Sequence, residues 1–196
     1  DLRGHGSSTQ QGGDSVTVAS TYLMASVAMG YDQIPSDLAM AATWLRKQKG
    51  IDGRHLGLAG ANEGAFAALL ASDVIKPKAT LALSPAGADN FGAGARNRMA
   101  AAATRAHATL MAFVASGDQE AEGNLAPLRP IFGANIRSFE GNQRGFDYLE
   151  GHSDVMAVFF AEYLLHPHTG RAVEKAKPAE GQAPATVLTT EVPANP

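Results

Sequence analysis

Short apolar runs alternate with stretches of helical periodicity between Ser36 and His166. Ser36 is placed to cap a helix in which Leu38, Ala41, Ala42 and Leu45 recur at helical spacing, with Lys47 and Lys49 near its end and Gly50 as its stop. Trp44, the single tryptophan, falls on this pattern and is expected to pack in the core or between helix and sheet. The run His55–Ala59 suits a buried strand, and Glu63–Ser72 a helix with a favourable acidic first turn. Ala79–Leu83 reads as a strand ended by Ser84-Pro85, and Arg96–Ala106 as an alanine-rich helix. Ala108–Ala115 and Asn135–Phe139 read as two further strands. Ser153–Leu165 closes the pattern as an amphipathic helix presenting Val155, Phe159, Phe160, Tyr163 and Leu164. Strands separated by helices of this length imply an α/β fold, a mainly parallel sheet flanked by helices. In such sheets chemistry gathers at the carboxyl ends of the strands. The segments to inspect are therefore Ala61–Gly64, Ser84–Asn90, Gly117–Glu120 and Gly141–Ser153.

Composition narrows the partners. A chain of 196 residues with a formal charge of −3 lacks the clustered basic charge that a nucleic acid requires. No apolar run reaches the roughly 18–20 residues of a membrane-spanning helix. The absence of cysteine removes disulfides, thiolate metal sites and a cysteine nucleophile. No internal repeat is present. Residues 1–166 carry the core pattern, whereas 167–196 hold five of the ten prolines and no aromatic residue. Within that tail only Ala185–Val192 could add a strand. His166 and His168 have the look of a metal-binding pair, but no further ligand is assignable, so no metal is expected. Gly92-Ala93-Gly94 lies in a loop over the strand ends and could line a pocket; without a following Lys and Ser/Thr it is no phosphate loop, and no cofactor is expected. Tyr22, Met24 and Met29 are open to core packing or to a pocket-facing role.

Three positions carry candidate chemistry. In Gly60-Ala61-Asn62-Glu63-Gly64, between strand and helix, the flanking glycines let the chain turn sharply and expose the middle side chain above the sheet. Asp118 follows a strand within Ser116-Gly117-Asp118, and His152 stands before the last helix within Glu150-Gly151-His152-Ser153. Taken singly, each has an ordinary explanation: a tolerated turn asparagine, a turn aspartate and a loop histidine. Glu120 and Asp89 rival Asp118 for an acid role, and Asp154 is explained as a favourable first-turn charge. Their joint order is nucleophile position, acid, histidine.

With the opening turn Asp1-Leu2-Arg3-Gly4-His5-Gly6-Ser7-Ser8, which is similar to the family's D-x-R-G-x-G-x-S turn, residues 1–166 resemble α/β-hydrolases of the serine esterase and dienelactone-hydrolase type. The resemblance implies that a serine at position 62 would attack an ester or thioester carbonyl, that His152 would take its proton, and that Asp118 would hold the imidazole. The backbone N–H of Glu63 would stabilise the oxyanion. Arg3 and His5 belong to the opening turn and are expected to be structural or pocket-lining.

Two departures qualify that implication. Asn62 stands where the family has serine, and a carboxamide nitrogen, delocalised into its carbonyl, cannot become an alkoxide-like attacker. Natural loss of the nucleophile, a substitution that traps a ligand, replacement of a dehalogenase-like aspartate and a sequence error all remain open for Asn62. The dehalogenase reading is the weaker, because Glu63 stands where those elbows place tryptophan. The family's first strands, with one oxyanion donor, precede the opening turn. The chain is therefore expected to leave an unpaired sheet edge for a partner chain, a second copy or the tail to cover. As written the chain is expected to be inactive, with a small ester-like ligand as its implied partner. The alternative is a non-catalytic binding or interaction subunit reusing the scaffold.

Overall fold

The computed structural model of the chain describes residues 3–5, 7–11, 14–15 and 28–165. Tyr22, Met24, the His166/His168 pair and Ala185–Val192 lie outside them. The described residues form an α/β fold around a four-stranded parallel sheet. One pair of short strands comes first, β1 (Gln10–Gln11) antiparallel to β2 (Asp14–Ser15). Then follow α1 (Ile34–Arg46), β3 (Gly57–Ala61), α2 (Glu63–Ile75), β4 (Ala79–Leu83), α3 (Ala95–Ala106) and β5 (Thr109–Ala115). The chain continues through α4 (Gln119–Leu125), α5 (Arg129–Phe132), β6 (Ile136–Phe139) and α6 (Leu149–Phe160). The strands lie in sequence order β3-β4-β5-β6, and Ala61, Leu83, Phe113 and Arg137 stand side by side across it.

Period-two alternation divides the core between two faces. Ala82, Leu110, Ala112 and Val114 turn toward α2 and α3, where they meet Phe66, Leu69, Met99 and Phe91. Leu81, Leu83 and Phe113 turn the other way, onto Tyr148, Met156 and Phe159. All five residues of β4 are buried, as a strand covered on both faces and flanked on both sides should be. Leu38 and Ala42 of α1 pack on Ala71 and Ile75 of α2. Arg46 reinforces that contact by donating to the Ile75 carbonyl at 2.6 Å, one of the orphan acceptors of the α2 terminus. Arg3 grips Asp37 of α1 through two hydrogen bonds of 2.5 and 2.8 Å, and Gly4 leaves room for buried Met29. Arg3 is thus structural, and the Asp37 carboxylate raises its pKa further.

Several boundaries differ from the sequence reading for local reasons. Helix α1 starts at Ile34 and not after Ser36, because Pro35 in the first turn is already set at a helical φ. It ends at Arg46, before Lys49 and Gly50. Strand β3 begins at Gly57 because Asp52–His55 forms a turn, with the His55 ring on the Asp52 carboxylate at 2.8 Å. The last helix is broken at Glu150 and Gly151 (φ 79°) and widens into a π turn over Ala161–Leu165. Trp44 is 64% exposed and not a packing residue: Ile34, Leu38 and Ala42 take the inner face of α1, and Trp44 falls on the outer one. Among the described residues β3 has a strand neighbour on one side only. No described helix is long and apolar enough to cross a membrane.

Candidate functional site

The three positions singled out by sequence all stand at the carboxyl edge of the sheet. Asn62 joins β3 to α2 at φ 51° and ψ −119°, a conformation that costs a non-glycine residue about 1–3 kcal/mol. Its neighbours over-determine it. The Asn62 N–H donates to the Leu83 carbonyl at 3.0 Å, while its own carbonyl accepts from Ala65 and Phe66 (3.1 Å each) and from Ala86 (3.2 Å). The carboxamide is half-buried and lies against Gly145, where a Cβ would stand 2.8 Å from Nδ2. The two glycines of the motif differ in purpose. A Cβ on Gly60 would come within 2.2 Å of the Gly64 carbonyl oxygen, whereas one on Gly64 would meet nothing within 4 Å. The Glu63 N–H is the first donor of α2, free of any intrahelical acceptor.

Asp118 is 1% exposed and caps α4, its Oδ1 accepting the Ala121 N–H at 3.2 Å. The same oxygen accepts a hydrogen bond from the Arg144 guanidinium. This bond raises the Arg144 pKa, and the charges of Glu120 and Glu63 add to the effect. Asp118 Oδ2 is buried without a partner. Sequence reasoning missed Arg144. In the polar stretch Gly141-Asn142-Gln143-Arg144 it reads as a solvated cation, and only the need of a buried carboxylate for a counter-charge could have pointed to it.

His152, half-buried, rests on a wall of three rings: Phe139 at 4.6 Å, Phe113 at 5.6 Å and Tyr148 at 6.4 Å between centroids. No hydrogen bond holds its imidazole among the described residues, and none joins Asn62, Asp118 and His152 to one another. Burial pushes the Tyr148 phenol above its usual range, and the Ser84 hydroxyl beside it pulls part of the way back.

The loops at this edge are laced together. Glu120 accepts the Gly87 N–H at 2.6 Å, and Asn124 donates to the Pro85 carbonyl at 2.8 Å. Gly117 packs on Asn142 and donates to the Gly141 carbonyl at 2.9 Å. Glu120 is thereby occupied in loop anchoring. Asp89 is exposed and borders a polar cavity of about 310 Å³ shared with Gly92, Gly94 and Arg96. Asp154 is exposed on α6, beside Arg137 in an open groove of about 400 Å³ toward the amino end of β5. His5 touches the Arg3 carbonyl (3.1 Å) and the Tyr31 hydroxyl (3.5 Å), a structural setting. Among the described residues no three His, Asp or Glu side chains gather as a metal-binding group.

Fold and site together define an α/β domain with a strained, solvent-reachable elbow and, at its strand ends, a buried carboxylate paired with a half-exposed arginine. No family model, curated protein or solved structure matches the chain.

Proposed function

We propose that this chain is an α/β-hydrolase-type domain of ester- or thioester-hydrolase ancestry that binds a small carbonyl ligand at Asn62 without covalent turnover. The observation that carries this reading is the backbone of Asn62. A strained φ/ψ pair fixed by four hydrogen bonds serves no purpose in an ordinary strand–helix connection, but it does lift one side chain off the sheet. The side chain so presented can donate through its Nδ2–H to a ligand carbonyl, yet it has no hydroxyl for a histidine to deprotonate. The Glu63 N–H lies at the adjoining helix start, where an oxyanion donor would be needed. In the ancestral reaction a serine Oγ would bond to the acyl carbon, its proton would pass to His152, and the alkoxide would leave with that proton.

The test is p-nitrophenyl acetate with the chain and its Asn62→Ser variant. The parent should release no nitrophenolate in proportion to protein, and the serine variant should acquire one acetyl group, seen as a mass increase on the peptide holding residue 62. A folded serine variant that stays unacylated even when Arg144→Gln also removes the guanidinium from Asp118 would sink the reading.

One observation favours a second reading, a docking subunit on the same scaffold. Among the described residues the short uncharged strand β3, Gly57–Ala61, has a strand neighbour on one side only, an edge suited to pairing. Sedimentation discriminates between the two readings. A defined dimer or hetero-complex whose assembly is broken by a proline at Ala59 supports docking, and a monomer at all concentrations removes it.

A further inference from the structure

We infer that Arg144 is a positioning residue that withholds Asp118 from His152, so that the acid and the histidine of this site are uncoupled independently of the residue at position 62. This inference rests on the hydrolase reading for its consequence in catalysis, but not for its geometry. Asp118 and His152 share one corner of the sheet. Ser116 donates to the Phe139 carbonyl at 2.8 Å, Gly117 donates to that of Gly141, and the His152 ring lies on Phe139. A carboxylate and an imidazole at one corner of the sheet would ordinarily find each other, because among the described residues neither Asp118 Oδ2 nor the imidazole has a hydrogen-bond partner. Instead the guanidinium joins the Ala121 N–H on Oδ1, Oδ2 is left buried and unpartnered among the described residues, and the half-buried imidazole rests against aromatic rings.

The loop that carries Arg144 is built to hold it there. Its backbone N–H donates to Asp147 Oδ2 at 2.9 Å, and the Asp147 N–H returns to the Arg144 carbonyl at 3.0 Å, closing a reciprocal turn. Gly145, at φ 52°, then brings the chain against the Asn62 carboxamide, a contact any larger residue would block. The same loop therefore touches the elbow with one residue and the acid with the one before it. Arg144 is 51% exposed, so the fork reaches inward from the surface and can be removed without excavating the core. Glu63 and Glu120 face it and favour its charged form, and Asp147 lies on its own turn.

The decisive readout is the tautomer of neutral His152, taken from imidazole nitrogen-15 shifts in the full chain and assigned by loss in His152→Gln. A carboxylate that accepts from Nδ1–H selects that tautomer, whereas an imidazole without such a partner does not. In the parent, His152 should lack the Nδ1–H signature, and Asp118→Asn should not change it. In Arg144→Gln the signature should appear, and adding Asp118→Asn should abolish it. Should Arg144→Gln fail to fold, Arg144→Lys keeps the counter-charge but loses the guanidinium fork, and should show the signature in part.

An Nδ1–H signature in the parent that Asp118→Asn removes overturns the proposal. So does a folded Arg144→Gln, or Arg144→Lys in its place, that never acquires it. In catalysis, Asn62→Ser/Arg144→Gln should acylate about 10²–10⁴ times faster than Asn62→Ser alone, the scale set by losing the orienting aspartate of a triad. If the tautomer responds and acylation does not, the latch stands and the hydrolase reading fails; if neither responds in folded protein, the latch itself is wrong.

Discussion

Gly60→Ala should abolish the native state, whereas Gly64→Ala, four residues later, should leave it intact. The clash at Gly60 is with backbone. An added Cβ would stand 2.2 Å from the Gly64 carbonyl oxygen, 2.3 Å from its carbon and 2.5 Å from the Ala65 nitrogen. Those atoms belong to the first turn of α2, which is held to Asn62 by the Ala65 and Phe66 hydrogen bonds and buries Phe66 and Leu69 behind it. Relief would require moving the helix off the sheet, so the cost should exceed about 4 kcal/mol, the exceptional range for one substitution. At Gly64 the added methyl meets nothing, and alanine should add about 0.5–1 kcal/mol of helix preference. Urea denaturation followed by far-UV circular dichroism checks both. Equal tolerance of the two alanines would mean that the elbow is not as tightly closed as its geometry requires.

That asymmetry marks a limit of what the sequence discloses. Two glycines flanking one residue announce a sharp turn, but spacing alone cannot tell which glycine is crowded and which merely sits on an open face. Ala79–Leu83 was legible to the residue because a strand buried on both faces is apolar at every position. Helix α4 was not, since Gln119–Leu125 lacks an apolar repeat; it exists because Asp118 caps it and because Ala121 and Leu125 reach the core from the end of β5. Asp118, His152 and Asn62 could be placed at strand ends by topology. What each one touches could not, because Arg144 reaches Asp118 from 26 residues away through a loop with no apolar signal. The parallel sheet follows from alternation along the chain, whereas the pairing of charges across its edge depends on loops whose path no local pattern encodes.

Phe113→Ala should cost about 3–5 kcal/mol and lower the melting temperature by roughly 10 °C, the response of a domain this size to a cavity in its core. Phe113 is fully buried on β5, and its ring is the hub of the face that carries α6. Phe139 lies 5.1 Å from it, Tyr148 and His152 each 5.6 Å, the last two edge-on, and the Arg137 guanidinium 5.8 Å. Truncation thus removes the transfer energy of the ring, three ring contacts and the support of a cation at once, and the neighbours cannot collapse inward because β4 and β6 are pinned in register on either side. Phe113→Leu, which fills most of that volume, should cost markedly less. The loss also reaches the site, since His152 has no hydrogen bond among the described residues to orient it and rests on this wall. In an Asn62→Ser background, acylation by Phe113→Ala should therefore fall even at a temperature where both proteins are fully folded, and Phe113→Leu should recover most of it. An unchanged acylation rate in folded Phe113→Ala would show that packing does not hold the imidazole, and that a partner beyond the three rings does.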